Sequence, residues 1–223
     1  MEQLKKTVPP WERLEVGIML ALVGGFLDAY TYLFRGGVFA NAQTGNMVLM
    51  ALDAAEGNWW GVLYYLVPIS AFFAGVLVTE ICRDWIPAKW TLEWRHVILC
   101  LEAALILAVG LLPATVPDAV VNVTISFVCS MQVNCFRKTW GLPFATTMCT
   151  GNLRSAAEKS YRAIKLGDRE AFADAVRYFL IIGAFCTGAA IGAWLTQWWG
   201  GYSVCLCSGM LLAVLVHMVR HGE

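Results

Sequence analysis

Two polar stretches, far apart in the chain, carry residue types that could bind a solute inside a membrane. The first reads GGVFANAQTGN over residues 36–46, and the second reads GLPFATTMCTGN over residues 141–152. Both contain a glycine, then Phe-Ala, then Thr-Gly-Asn. Duplication around a helix-breaking polar element is how many transport proteins build a site in a bilayer. The candidate lining residues, taken from these stretches and from the helices before them, are Asp28, Gln43, Thr44, Asn46, Gln132, Asn134, Thr150 and Asn152.

Asp28 is the most informative single residue, because it lies late in an apolar run that reads GGFLDAY. Ionisable groups inside membrane spans are rare and indicate a functional site by default. The corresponding residue of the second copy is Asn134, so a shared site would be chemically asymmetric. The alternative is a structural role, in which Asp28 pairs with Arg35 or Lys138 to fix the fold.

The Thr-Gly-Asn elements predict two short helices that begin inside the membrane. Thr44 and Thr150 are expected to act as N-caps, with helices over residues 45–55 and from 151 towards 163. Both N-termini would point towards the midplane from opposite faces. The partial positive charge of a helix N-terminus attracts anions and polar oxygen atoms. The alternative is that the two elements only cap and pack broken helices.

Further charged residues could serve either the site or the fold. Glu102 is a second candidate for a buried acid, or it could extend to the nearer membrane surface. Arg154 closely follows the second Thr-Gly-Asn, where it could neutralise a bound anion or pair with Glu158 one helical turn later. Arg35, Glu102 and Arg154 are therefore the candidate charge partners.

The composition is that of an integral membrane protein. Of 223 residues, 59% are hydrophobic and 14% charged, whereas soluble domains are about 45–50% apolar and about 25% charged. The net charge is zero, which gives no reason to expect a nucleic-acid partner. The eight cysteines include no Cys-x-x-Cys motif and lie mostly in apolar runs, so no disulfide, metal site or cofactor is expected. The N-terminal stretch lacks the pattern of a signal peptide, so the first apolar run is expected to be a retained span.

Eight apolar segments follow one another along the chain. They cover residues 16–34, 38–55, 61–82, 97–112, 119–136, 143–157, 175–194 and 202–219. The second and sixth segments are short and begin with the polar elements. If these two do not cross the bilayer, every cluster of lysine and arginine lies on one side, and Arg35 alone lies on the other. If they do cross, the basic stretch 83–95 lies outside. The positive-inside rule therefore favours six crossings.

The expected fold is an all-α, polytopic helical membrane protein with a single domain over residues 1–223. Residues 14–113 form a first repeat and residues 118–220 a second, inverted repeat, each with three transmembrane helices and a re-entrant half-helix. Both termini are then cytoplasmic. Small residues four apart predict close helix packing, either within one chain or between the chains of a homo-oligomer. These are Ala71, Gly75 and Thr79 in the first repeat and Ala184, Gly188 and Gly192 in the second.

The chain resembles the YoaK family, a bacterial family of inner-membrane proteins of unknown function. The resemblance rests on GGFLDAYTY at residues 24–32 followed by the first polar stretch, and on MQVN, ATT and Thr-Gly in the second half. Relatives more often have adjacent Gln-Asn-Ala and Thr-Gly-Thr there, whereas Val133 separates Gln132 from Asn134 here and Asn152 takes the third place. The resemblance implies a six-span protein of the bacterial inner membrane and no settled substrate.

Together these features predict a small inner-membrane transporter or channel for a small polar or anionic solute. Titration of Asp28 would favour proton coupling, whereas permanent pairing would favour a passive pore. The alternatives are a non-transporting membrane scaffold or partner protein and, with less support, an intramembrane enzyme. No catalytic pair is evident, and His96, His217 and His221 lie at predicted span ends, so no enzymatic activity is expected. The expected partners are the lipid bilayer and a small-molecule or ion substrate.

Overall fold

The computed structural model describes residues 8–85 and 93–221, and most of these residues are helical. The described helices are α1 (Leu14–Phe34), α2 (Gln43–Ala55), α3 (Trp59–Trp85), α4 (Trp94–Gly110), α5 (Asp118–Cys135), α6 (Cys149–Leu166), α7 (Arg169–Trp199) and α8 (Cys205–Arg220). Short 3-10 turns cover Pro10–Glu12 and Gly200–Val204. Three of the bases on which the expected topology rests lie outside the described residues, namely Lys5, Lys6 and Lys89. The prediction of an all-helical protein is confirmed for the described part of the chain.

One small hairpin interrupts the helices between α5 and α6. Strand β1 (Lys138–Thr139) pairs antiparallel with β2 (Leu142–Pro143). The two turn residues, Trp140 and Gly141, both have positive φ, at 51° and 74°. Such angles at both central positions are typical of the tight two-residue turns that match the twist of paired strands. Most of the hairpin lies between the predicted apolar segments 119–136 and 143–157, and it was not predicted.

Three helical stretches of the described chain are long and apolar enough to cross a bilayer. They are Leu14–Phe34, Trp59–Trp85 and the continuous stretch Arg169–Arg220, which holds α7 and α8. The two remaining long apolar helices, α4 and α5, have 17 and 18 residues. The structure therefore agrees with a polytopic membrane protein.

Parallel packing joins α1 to α7 and α3 to α5. The backbone of α7 at Gly188 lies against Leu22 of α1, and four residues later Gly192 lies against Phe26. Since both sequence positions increase together, α1 and α7 run in the same direction. Helices α3 and α5 also run in the same direction, because Gly75 lies against the backbone at residue 127 and Glu80 bonds to residue 134.

Antiparallel packing relates these pairs to each other and to α4 and α8. Gln132, near the end of α5, donates to the carbonyl of Leu20, near the start of α1. Ser208 of α8 donates to the carbonyl of Ala103 in α4, and the preceding turn of α8 lies against Gly110 at the far end of α4. The first turn of α4 meets the end of α5. Hence α1, α4 and α7 run one way, and α3, α5 and α8 run the other.

Small residues create the closest helix contacts, and they do so within one chain. A Cβ atom at Gly25, Gly188 or Gly192 would collide with the backbone of the facing helix, and one at Gly75 would collide with α5. Close backbone approach at small residues is the usual basis of helix association in lipid. The predicted role of both small-residue rows in helix packing is confirmed at Gly75, Gly188 and Gly192.

The main core lies between α1, α4, α5 and α8. Its wholly buried members include Leu20 and Leu27 of α1, Ile98 of α4, Ile125 of α5 and Leu211 of α8. A second cluster joins α1 to α7 and to the loop before α6. The two cores hold α1 between the rest of the bundle and the second polar stretch, which positions the candidate site.

Candidate functional site

Both polar stretches line a single cavity of about 720 Å³. The volume falls within the range of about 300–1,000 Å³ that is typical of small-molecule sites. Most of the wall is apolar, and its aromatic members are Tyr32, Phe39, Phe72 and Phe185. The polar lining comes from Asp28, Asn41, Gln43, Thr44, Thr147 and Thr150. The structure thus brings together two segments that are more than one hundred residues apart in the chain.

Two helices begin at this cavity and are called here the cavity helices, α2 and α6. Their N-caps are Ala42 and Met148, and neither helix receives a side-chain cap. The expectation that Thr44 and Thr150 act as N-caps is therefore wrong. In α2 the reason is local, because the N–H of Gln43 donates to the Asn41 carbonyl at 2.8 Å, so the chain turns into the helix before Thr44. Both threonines instead lie in the second helical position, exposed and lining the cavity.

The asparagines of the two Thr-Gly-Asn elements make equivalent contacts. The Asn46 side chain donates to the Phe39 carbonyl at 2.7 Å and accepts from the Phe39 N–H at 3.1 Å. The Asn152 side chain does the same with Ala145, at 2.7 and 3.3 Å. Each asparagine thereby ties the start of a cavity helix to the loop seven residues earlier. Both side chains are buried, and neither lines the cavity.

Two more candidates, Gln43 and Gln132, make hydrogen bonds that support the fold. Gln43 lines the cavity, but its side chain donates to the Ala40 carbonyl at 2.8 Å and accepts from Asn46 at 2.9 Å. Gln132 is buried between helices, where it donates to the Leu20 carbonyl. Gln43 therefore lines the cavity and also stabilises the loop before α2, whereas Gln132 lies away from the cavity and joins α5 to α1.

Asp28 lies in the cavity wall against the first polar stretch. Its Oδ1 accepts from the Asn41 N–H at 2.7 Å, and the Asn41 side chain donates to the Gly24 carbonyl at 3.1 Å. Only 5% of the residue is exposed. Within the described chain, no cationic side chain comes within ion-pair distance of this carboxylate. The carboxyl group is therefore held by backbone dipoles.

The proposed structural partners of Asp28 lie elsewhere. Arg35 is buried at the end of α1, where its guanidinium lies 3.3 Å from Asp118 and donates to the Tyr30 hydroxyl at 2.9 Å. Lys138 is exposed beyond the end of α5. The alternative in which Asp28 pairs with Arg35 is wrong, because Asp118 takes the arginine at that end of the bundle.

The second copy does not place its equivalent of Asp28 at the cavity. Asn134 donates to Glu80 of α3 at 2.8 Å and contacts Arg137 one turn later. It lines a smaller pocket at the opposite, basic end of α5. Asn134 therefore does not line the cavity that contains Asp28. The first half of the chain supplies a carboxylate to the cavity, and the second half supplies no group at the equivalent position.

Two cavity residues were missed as candidates, although a sequence signal for them existed. Asn41 and Thr147 lie three residues before the threonines of Thr-Gly-Asn, so they occupy equivalent positions in the two copies. Both are buried in the cavity wall next to Gly24 of α1. The Asn41 Oδ1 and the Thr147 hydroxyl have no hydrogen-bond partner among residues 8–85 and 93–221.

The remaining charged candidates divide between core and surface. Glu102 is fully buried in α4, and neither carboxyl oxygen has a hydrogen-bond partner in the described part of the chain. The alternative in which it extends to the membrane surface is wrong. Arg154 is exposed and its Nε lies 3.0 Å from Glu158, the pair that four-residue spacing predicts. Among the described residues, no three His, Cys, Asp or Glu side chains are grouped to hold a metal ion.

Comparison with known proteins places the chain in a family. The profile of the family described as "Protein of unknown function (DUF1275)" matches residues 16–217. The chain belongs to this family. The DUF1275 match covers all of α2 to α7 and most of α1 and α8, together with both polar stretches.

One curated relative has a membrane assignment in its name. The chain is 29% identical over 183 residues to "UPF0700 transmembrane protein YoaK" of Bacillus subtilis (strain 168), an alignment that covers 78% of this chain and 80% of the relative. No solved structure matches the chain. The resemblance to the YoaK family is confirmed, and the protein is a membrane protein of a family whose function is unknown.

Proposed function

We propose that the protein is a small transporter or channel of the bacterial inner membrane for a small polar or anionic solute, with Asp28 as the candidate proton-coupling group. The observation that carries the proposal is the convergence of both cavity helices on one cavity that also contains Asp28. Discontinuous helices whose N-termini meet near the midplane are a recurrent design in transporters. The proposal assigns a non-enzymatic function.

The proposed topology has six crossings in two inverted units, with α2 and α6 as re-entrant half-helices. Helices α1, α3 and α4 of the first unit run up, down and up, whereas α5, α7 and α8 of the second unit run down, up and down. Helix α2 leads from the cavity to the start of α3, and α6 leads from the cavity to the start of α7. Those two starts lie at opposite ends of the bundle. This geometry supports cavity helices that enter from opposite leaflets.

The distribution of basic residues supports cytoplasmic termini. The starts of α1, α4 and α7 and the ends of α3, α5 and α8 share one end of the bundle. Bases cluster there, including Arg13, Arg83, Arg95, Lys138, Arg169 and Arg220. At the other end, the one base among the described residues is Arg35, whose charge is offset by Asp118. By the positive-inside rule the basic end is cytoplasmic.

The chemistry of the cavity favours polar or anionic solutes over cations. Each cavity helix presents the equivalent of about half a positive charge at its N-terminus. One ionised Asp28 offsets about one positive charge, so the site is near neutral when Asp28 is ionised and positive when it is protonated. Anion entry and protonation of Asp28 therefore favour each other, which is the physical basis of the proposed coupling.

A solute-flux assay in proteoliposomes tests the proposal. Small anions, neutral polar metabolites and protons are screened with the parent protein, with Asp28→Asn and with Asp84→Asn as a matched control, because Asp84 is an exposed acid at the end of α3. We expect solute flux in the parent and in Asp84→Asn, and loss of its pH dependence in Asp28→Asn. Absence of flux above protein-free liposomes for every solute would contradict the transport proposal.

A second candidate function is that of a non-transporting membrane partner protein. Exposed apolar side chains at the end of α6 favour it, since Ile164 is 85% and Leu166 66% exposed beside the charged α6–α7 turn. In that case charge reversal at Lys165 or Arg169 would alter the growth phenotype of a cell lacking the native gene, and Asp28→Asn would not. The reverse pattern would favour transport.

A further inference from the structure

We infer that the cavity binds small organic anions that combine one carboxylate with a compact apolar body, and that the carboxylate lies at the N-terminus of α6. The inference rests on the proposed transport function and names its substrate class. It depends on the way in which the two otherwise equivalent cavity helices differ.

The N-terminal region of α2 already has an anion of its own. The carboxylate of Asp28 accepts from the N–H of Asn41, directly before the helix. The N–H groups of Gln43 and Gly45 also have partners, in the carbonyls of Asn41 and Ala42. A second anion at this end would face the carboxylate of Asp28, and two of the first three N–H groups of α2 already have acceptors.

Among the described residues, no carboxylate is hydrogen-bonded to the N-terminal region of α6. Its equivalent of Asp28, Asn134, bonds to Glu80 at the other end of α5. Met148 supplies no side-chain cap. Over the described residues, the N–H groups of Cys149, Thr150 and Gly151 have no hydrogen-bond acceptor. Unfilled amides at a helix N-terminus are well suited to an anion.

An independent observation at the same place points to a ligand. Thr147 is 4% exposed, it lines the cavity, and its hydroxyl has no partner within the described chain. A buried polar group without a partner costs about 1–3 kcal/mol. A carboxylate at the start of α6 would accept from this hydroxyl as well as from the backbone amides.

The rest of the wall selects the body of the ligand. Phe72, Phe185, Ala189 and Ala193 face the cavity and offer no hydrogen-bonding side chain. A strongly hydrated inorganic anion would lose water against this wall without compensation. An aromatic or branched aliphatic acid would instead bury its apolar body there while its carboxylate reaches α6.

The first experiment measures binding without any change to the protein. Isothermal titration of the parent in nanodiscs uses benzoate as the probe, with benzamide as its neutral counterpart of similar shape and inorganic phosphate as a hydrophilic anion. We expect benzoate to bind at least about tenfold more tightly than either control, in line with the greater strength of charge-assisted hydrogen bonds. Equal or weaker binding of benzoate would overturn the inference.

The second experiment changes the start of α6. Met148→Asp adds an internal anion at the N-cap, whereas Met148→Asn has the same size and no charge. We expect Met148→Asp to abolish benzoate binding and Met148→Asn to retain it. Thr147→Val, which removes only the hydroxyl, is expected to weaken binding about fivefold to tenfold. Unchanged benzoate binding in Met148→Asp would place the carboxylate elsewhere and overturn the inference.

Flux measurements separate this inference from the proposed function. If benzoate binds with the expected dependence on residue 148 but neither benzoate nor any other screened solute crosses faster than in protein-free liposomes, the binding site stands and transport is contradicted. If another solute crosses and benzoate neither binds nor competes, transport stands and the carboxylate site is contradicted.

Discussion

Replacement of the two buried asparagines tests whether the repeat elements hold the cavity in shape. Asn46 makes three side-chain hydrogen bonds, two to the backbone of Phe39 and one to Gln43. Asn152 makes two, both to Ala145. A hydrogen bond contributes about 0.6 kcal/mol on average within a membrane protein and about 1 in general. We therefore expect Asn46→Ala to lower the free energy of unfolding by about 2–3 kcal/mol and Asn152→Ala by about 1–2.

The assay is reversible unfolding in mixed detergent micelles, followed by the loss of helical circular dichroism. Asn58→Ala is the matched control, because Asn58 also bonds through its side chain, to Asp53 at 2.9 Å, but is exposed. Asn58 also accepts from the Gly61 N–H at 3.2 Å in the first turn of α3, so we expect this control to lower stability by about 1 kcal/mol, less than Asn46→Ala does. If Asn46→Ala were no more destabilising than Asn58→Ala, the assignment of Asn46 to loop closure would be refuted.

Two further substitutions test packing and buried charge by the same unfolding measurement. Gly188→Ala places a Cβ against the backbone of α1 and is expected to destabilise the protein. Gly183→Ala, on the same helix, places its Cβ in open space and is expected to be neutral or slightly stabilising. Equal effects of the two substitutions would contradict the close contact of α1 and α7. Glu102→Met removes a fully buried carboxyl group that has no hydrogen-bond partner among the described residues. Because a buried polar group without partners is costly, we expect this substitution to stabilise the protein by about 1–3 kcal/mol, more than Glu102→Gln does. Destabilisation by Glu102→Met would show that the carboxyl group has hydrogen-bond partners.

Local patterns were sufficient to predict the helices and several contacts. Each of the eight apolar segments overlaps one helix. For the six segments proposed to cross the bilayer, the reason is that a span must be both long and apolar. The structure ends α6 at Gly167, a glycine in the left-handed conformation, and caps α7 with the side chain of Asp168, which is the arrangement that a Gly-Asp pair between two helices favours. The small-residue rows predicted helix contacts because spacing alone puts such residues on one face.

The details of the site depended on contacts that spacing does not encode. Thr44 has a good N-cap side chain, but the chain enters α2 earlier because the Asn41 carbonyl accepts from Gln43. Asn134 is equivalent to Asp28 by sequence position, but it lies at the basic end of the bundle, where its side chain bonds to Glu80 and Arg137. Both outcomes are set by tertiary partners, which a single sequence does not reveal.

The central claim is that the two cavity helices lead to opposite faces of the membrane. Single cysteines at Trp60, which is 84% exposed at the start of α3, and at Ile164, which is 85% exposed at the end of α6, report on the two ends. A membrane-impermeant maleimide is applied to intact cells and to inside-out vesicles, in a background with the native cysteines replaced. The account predicts that Trp60→Cys is labelled only in intact cells and Ile164→Cys only in inverted vesicles. Labelling of both positions from the same side would contradict it.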